Sequence, residues 1–417
     1  MSRSSLANDR TAAHLEHMLA ARTAANRSFF DAEAGRLARV CHLMAERFAR
    51  GGRLVAFGDS PAARSDVRHV AVEFVHPVIV GKRALPAIGL AGEGGPPAEQ
   101  VALIARGDDI AMAFGGAGAA ASGRAAPGGV SDAVAVARER GCLTIAFSRS
   151  GAEWEFLPPS DDPSIRQELV ETLYHVLWEL VHVFFEHRGL LQGRDPRPTH
   201  DSGASSFLYP FLAEQESELD PVLDDVRRSA LMKAQEISAL RAQTLEDNRE
   251  QLIAAAEELR DVFAAGGKLL ALGNGGSATD AMDLVADCRA AGHAAIDLTE
   301  DPSIITAIAN DIGVDAIFAR QVIAYGVTGD AAIALSTSGN STNLIAALEE
   351  ARRRRLMTVA LVGYDGGRIG AEALADHVIV TRSEHIPRIQ EAQATAYHAL
   401  VELAGSRELP ASGELSQ

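Results

Sequence analysis

The sequence predicts an α/β protein of two doubly wound domains, each a parallel sheet flanked by helices behind a long helical segment. Three observations carry this: apolar runs bounded by glycine, a chain that repeats itself in order, and two runs that open into loops rich in glycine and hydroxyls. The runs fall at 54–57, 110–114 and 143–147, then at 269–272, 331–335, 358–362 and 377–380. Being apolar throughout, they read as strands buried on both faces, as parallel strands between helices are.

The repeat sets the domain plan. Residues 49–58 (Ala-Arg-Gly-Gly-Arg-Leu-Val-Ala-Phe-Gly) parallel 264–273 (Ala-Ala-Gly-Gly-Lys-Leu-Leu-Ala-Leu-Gly), and 137–140 parallel 351–354. The closest pair is Thr-Leu-Tyr-His-Val-Leu-Trp-Glu-Leu at 172–180 against Thr-Ala-Tyr-His-Ala-Leu-Val-Glu-Leu at 395–403. The expected domains are 1–187 and 216–409, joined by a Gly-, Pro- and polar-rich linker at 188–215 and followed by a patternless tail at 410–417.

Composition narrows the function. With 47% hydrophobic residues among 417, each half has enough apolar side chains for its own core. A formal net charge of -17 repels nucleic-acid backbones and anionic membrane surfaces, so neither is an expected partner. Cys41, Cys142 and Cys288 are odd in number and far apart, which argues against a disulfide framework or a Cys-based zinc site and fits a reducing cytoplasm. No stretch reaches the roughly 18 apolar residues of a membrane span, and no apolar segment of signal length is present at the N-terminus.

Residues 274–280 read Asn-Gly-Gly-Ser-Ala-Thr-Asp, and residues 336–341 read Ser-Thr-Ser-Gly-Asn-Ser. A strand that breaks into small residues and then a helix aims backbone N–H groups and the positive end of the helix dipole at one spot, which favours an anion. Ser277, Thr279, Ser336, Thr337, Ser338, Ser341 and Thr342 can donate to phosphate oxygens without adding charge, which suits a sugar phosphate better than a nucleotide. No Walker lysine follows either loop, so no nucleotide cofactor is expected. The same residue types also suit helix caps. Their joint occurrence at two strand ends favours binding.

From about 216 to 405 the chain resembles the phosphoheptose isomerases of the SIS (sugar isomerase) fold. The likeness rests on Asn274-Gly275-Gly276-Ser277, Asn310-Asp311-Ile312-Gly313 with Ile317-Phe318, Ser336-Thr337-Ser338-Gly339-Asn340-Ser341, and Arg388-Ile389-Gln390-Glu391 followed by His398. It implies two SIS-type domains, the phosphate of a sugar held by the two loops, and a sugar contact from Asp301 and Gln390. It also implies a helix-borne carboxylate acting with His398 as acid and base, and zinc in some members. Sites at subunit interfaces imply a homo-oligomer, here a dimer forming a four-domain assembly. They also permit a composite site to which Glu73 and His175 contribute.

The departures from the family pattern are informative. Its helical His and, four residues later, Glu are Asp283 and Asp287 here, still on one helical face. Aspartate is roughly 1.5 Å shorter than glutamate, a misplacement of an order that can cost about 10²-fold in rate. As metal donors, Asp283, Asp287, Gln390 and His398 form a harder, oxygen-rich set. The first half reverses the pattern. His69 and Glu73 occupy the His and Glu positions, and Gln167 and His175 are spaced as Gln390 and His398 are, so this set too is a candidate zinc site. Its anion loops are replaced by Gly58-Asp59-Ser60-Pro61 and Phe114-Gly115-Gly116-Ala117. The expected function is an aldose/ketose isomerase turning sedoheptulose 7-phosphate into a heptose 7-phosphate through an enediol. The alternatives are a non-catalytic module that senses a sugar phosphate or binds a protein partner, and another SIS chemistry on an amino-sugar phosphate.

Overall fold

The structure, a computed structural model, describes residues 3–79, 82–91, 94–115, 128–186, 191 and 218–405. The expected linker (Leu191 apart), the tail, and Gly116 and Ala117 lie outside the described residues.

The first half runs α1 (Arg3–Ala49), β1 (Leu54–Gly58), α2 (Pro61–Val75), β2 (Ala87–Leu90), α3 (Pro97–Ile104), β3 (Ile110–Phe114), α4 (Val130–Glu139), β4 (Leu143–Ala146), β5 (Trp154–Glu155) and α5 (Pro163–Glu186). The second begins with α6 (Leu219–Asp247), α7 (Arg249–Ala264), β6 (Leu269–Gly273), α8 (Gly276–Ala290), β7 (Ala295–Asp297), α9 (Pro302–Asp311) and α10 (Ile317–Tyr325). It closes with β8 (Ala331–Ser336), α11 (Thr342–Arg353), β9 (Met357–Gly363), α12 (Gly367–Ala371), β10 (His377–Thr381) and α13 (Ile386–Gly405).

Two five-stranded parallel sheets result, ordered β2-β1-β3-β4-β5 and β7-β6-β8-β9-β10. The two orders match strand for strand. All seven expected strands are present. Three more, β2, β5 and β7, are edge strands of four, two and three residues with partly exposed side chains.

In each sheet one aspartate stands just before a central strand and anchors the neighbouring segment. Asp109, just before β3, accepts from the backbone N–H of Arg53 and of Arg106, each at 2.9 Å, and pairs with the Arg53 guanidinium at 2.7 Å. Asp330, just before β8, accepts from the N–H of Lys268 at 3.0 Å and of Val327 at 2.9 Å, and pairs with Lys268 Nζ at 2.5 Å.

The compact units differ from the two sequence halves. Residues up to Thr23 join those from Ile237 onward in a C-terminal unit, and Ala24–Glu236 form an N-terminal unit, so the boundaries fall inside α1 and α6. The cause is packing. Leu15 and Met18 of α1 are buried in one core with Leu252, Leu259 and Leu400, whereas Asn26 Nδ2 donates to Ala234 O at 2.8 Å within the other unit. Among the described residues no helix is long and apolar enough to cross a membrane.

Candidate functional site

In the C-terminal unit β6 and β8 are neighbours in register, with Gly273 opposite Leu335, so the two loops leave the sheet side by side. The strand order reverses there, with β7 beyond β6 and β9 beyond β8, the place where open α/β sheets take ligands. Asn274 and Asn343 clamp the loops together through reciprocal side-chain amide bonds of 3.0 and 2.9 Å. Ser277, Thr279 and Ser336 are buried, and Thr337, Ser338 and Ser341 half-buried.

Each loop is held in shape by its own small residues. A Cβ on Gly273 would lie 2.1 Å from Ser277 O, and Gly275 takes a φ of +58° before α8 begins at Gly276. Ser277 and Ala278 N–H close turns onto Asn274 and Gly275 carbonyls, and the Thr279 hydroxyl donates to Gly276 O. In the second loop Ser336 Oγ accepts from Gly339 N–H at 3.0 Å and Ser338 Oγ from Asn340 N–H at 3.2 Å. Ser338 also faces an open cleft of about 700 Å³, with Asn340, Tyr364 and Arg382 in its wall, which places a guanidinium near the hydroxyl loop. Asp301 is exposed and caps α9, accepting from Ser303 and Ile304 N–H at 2.8 and 3.2 Å.

Helix α8 grows out of the first loop and carries Asp283 and Asp287 one turn apart; α13 brings His398 to them. His398 Nε2 is 3.3 Å from an oxygen of each carboxylate, and Tyr397 Oη donates to Asp283 at 2.8 Å. Asp283 and His398 are 1% exposed and Asp287 31%, so Asp287 is the member a ligand can reach. The three donor atoms lie within 4.8 Å of one another, and Asp283 Oδ1 is buried with no hydrogen-bond partner among the described residues. That combination fits a divalent cation. Gln390 is buried earlier on α13, and Gln393 Nε2 donates to Ser336 O at 3.1 Å, tying this helix to the second loop. Cys41, Cys142 and Cys288 are all buried, and burial, then the Asp287 charge, pushes the Cys288 thiol up to about 12, which removes it as a nucleophile.

The N-terminal unit is built the other way round. Ser60 Oγ is spent capping α2, accepting from Ala63 N–H at 3.1 Å, and the Asp59 carboxylate sits where a Cβ on Gly115 would come within 2.8 Å of it. A negative group stands where a phosphate would need donors. Behind it, α2 and α5 bring His69 and His175 together, Nε2 to Nε2 at 3.3 Å, with Glu171 completing a buried group within 4.8 Å. Glu73 Oε1 is 3.9 Å from His69 Nε2, and the Gln167 amide nitrogen is 3.4 Å from both Asp66 and Glu171. Burial, then the neighbouring His175, holds His69 well below its ordinary pKa. Glu171 escapes sequence reading because its counterpart in the repeat is Ala394, although its i, i+4 spacing to His175 was available.

A SIS domain model matches residues 234–363. Over 160 residues the chain is 44% identical to a phosphoheptose isomerase of Citrifermentans bemidjiense, spanning 37% of this chain and 82% of that one. Over 211 residues it is 39% identical to a phosphoheptose isomerase of Chlorobium phaeobacteroides, spanning 48% and 87%. The C-terminal domain of glucosamine-fructose-6-phosphate aminotransferase from Francisella tularensis superposes with a TM-score of 0.58 at 10% identity, over 93% of this chain and 94% of that one, a likeness of fold. With the paired loops, the α8 carboxylates and the α13 histidine in place, these matches establish that the chain belongs to the phosphoheptose isomerase family of SIS-domain proteins.

Proposed function

We propose that the C-terminal unit is a sugar-phosphate isomerase interconverting sedoheptulose 7-phosphate and a heptose 7-phosphate. The observation that carries this is the course of α8, which starts inside one anion loop and presents Asp283 and Asp287 further along. From Ser277 to these carboxylates the helix rises roughly 9 to 15 Å. A phosphate gripped by Ser277, Ser336, Thr337, Ser338 and Ser341 thus leaves the far end of a long sugar chain at the Asp287–His398 pair.

Asp287, half-buried and 3.3 Å from His398, takes the proton from C1 of the ketose and returns it to C2 of the enediol. His398 moves the accompanying proton from the C1 hydroxyl to the C2 oxygen. Buried Asp283, held by Tyr397, orients the imidazole. Asp283, Asp287 and His398 would hold a divalent cation, which when bound polarises the sugar carbonyl. Gln390 lines the sugar end.

The test is turnover of sedoheptulose 7-phosphate by the purified chain, with aldose product measured directly. Ser338→Ala and His398→Ala are each expected to lose about 10²-fold or more in kcat/KM. Full turnover by both variants would overturn the reading. Thermal stabilisation by the sugar phosphate without product would reassign the unit to sensing.

A further inference from the structure

We infer that Arg382 of the C-terminal unit is a specificity-determining residue, whose guanidinium supplies the positive charge that the hydroxyl loops lack and so selects a phosphate dianion over a neutral sugar. The inference rests on the phosphate-binding part of the reading above, and adds a residue outside both loops and outside the acid and base pair. Sheet register puts it there. Ser336 lies opposite Val362, and Val362 opposite Val380, so the three strands end in step. Two residues further on, Ser338, Tyr364 and Arg382 follow the ends of β8, β9 and β10. Two strand spacings, about 9–10 Å, separate β8 from β10, within the span of an extended arginine side chain. All three residues line the cleft of about 700 Å³.

Arg382 is exposed and has no hydrogen-bond or ion-pair partner among the described residues. The arginines before and after it in sequence are engaged, Arg368 with Glu372 at 2.7 Å and Arg388 with Glu391 at 2.9 Å. The hydroxyl loop that shares the cleft is braced from the same side. A Cβ on Gly363 or Gly367 would collide with the carbonyl oxygen of Thr337 or Ser338, and Ile369 N–H donates to Gly339 O at 3.0 Å. Between them Tyr364 is held at a φ of +53°, a left-handed conformation that is costly for any residue but glycine and that concentrates at ligand sites. Electrostatics supplies the need. A chain of net charge -17 repels a dianion at long range, and neither 274–280 nor 336–341 contains a lysine or arginine. A guanidinium adds charge and a planar fork of donors that matches two phosphate oxygens. Two carboxylates also line the cleft: Asp365 accepts from Gly367 N–H at 3.1 Å, whereas Glu384 is exposed and subtracts from the arginine's field.

The purified full chain is titrated with inorganic phosphate, read by the rise in unfolding temperature, and assayed for turnover of sedoheptulose 7-phosphate. Arg382→Met should raise the Kd for phosphate about 10-fold or more, with a matching loss in kcat/KM that falls mainly on KM. Arg382→Lys should recover part of both, and Glu384→Gln should tighten phosphate. Sodium chloride should weaken phosphate binding by the wild type more than by Arg382→Met, a response that a merely structural arginine would not alter. Unphosphorylated sedoheptulose should stabilise neither protein. An unchanged Kd and salt response in Arg382→Met, or no stabilisation of the wild type by phosphate, overturns the inference. Turnover with the same KM in wild type and Arg382→Met would remove this inference and leave the isomerase reading standing. Phosphate binding that depends on Arg382 in a chain with no turnover would do the reverse.

Discussion

Asp287 is expected to carry the proton because it is the open member of its group, and Asp287→Asn preserves its shape while removing the charge. That variant should lower kcat about 10²-fold or more with little change in KM, by steady-state kinetics. If Asp283→Asn did this and Asp287→Asn did not, the two roles would be exchanged. A second residue to test is Asp109. Burial alone would push its carboxyl up, but the Arg53 guanidinium and the N–H groups of Arg53 and Arg106 outweigh that and hold it below the usual carboxylate range. The unfolded chain therefore takes up this proton first. The stabilisation is fully present above about pH 4 and is lost as pH falls through the lower folded value. Asp109→Asn should cost about 1.5–3 kcal/mol in urea unfolding at pH 7, with the gap to wild type narrowing near pH 3. Asp283, Asp287 and His398 were readable in the sequence because the family resemblance points to their positions and helical spacing sets the two aspartates on one face. Tyr397, Gln393 and Glu171 were not: an aromatic and an amide on a buried helix look like packing, and Glu171 has alanine for a counterpart.

At the scale of elements, the second hydroxyl-rich loop depends on one glycine. Gly339 has a φ of +63°, and a Cβ there would lie 2.1 Å from Gly366 O. Gly339→Ala should cost about 1–3 kcal/mol in thermal unfolding and weaken the stabilisation that a sugar phosphate gives. Unchanged ligand stabilisation would show that this loop does not grip the phosphate. The loops themselves were readable from composition, since glycines and hydroxyls crowd the ends of two buried runs. The Asn274–Asn343 clamp was not, because it joins residues of unremarkable type far apart in sequence and only the parallel register of β6 and β8 brings them together. The three strands missed are short, at four, two and three residues, which leaves little pattern to read.

For the whole molecule, Leu15 is the informative position, 4% exposed in a core with Leu252, Leu259 and Leu400. Leu15→Ala should destabilise the C-terminal unit by about 2–5 kcal/mol, seen as faster hydrogen exchange in β6 and β8. Unaltered exchange there would mean that the α1 end is not part of that core. The repeat made two similar halves visible, but packing decides which segment belongs to which core. In the N-terminal unit the matching piece comes from α6, where Val222 and Val226 are buried and Lys233 pairs with buried Glu179. Each unit thus takes a helical end from the other half of the sequence. A cut anywhere between residues 188 and 215 would leave each product carrying a segment of the other unit and missing one of its own, so neither half is expected to stand as an independent piece.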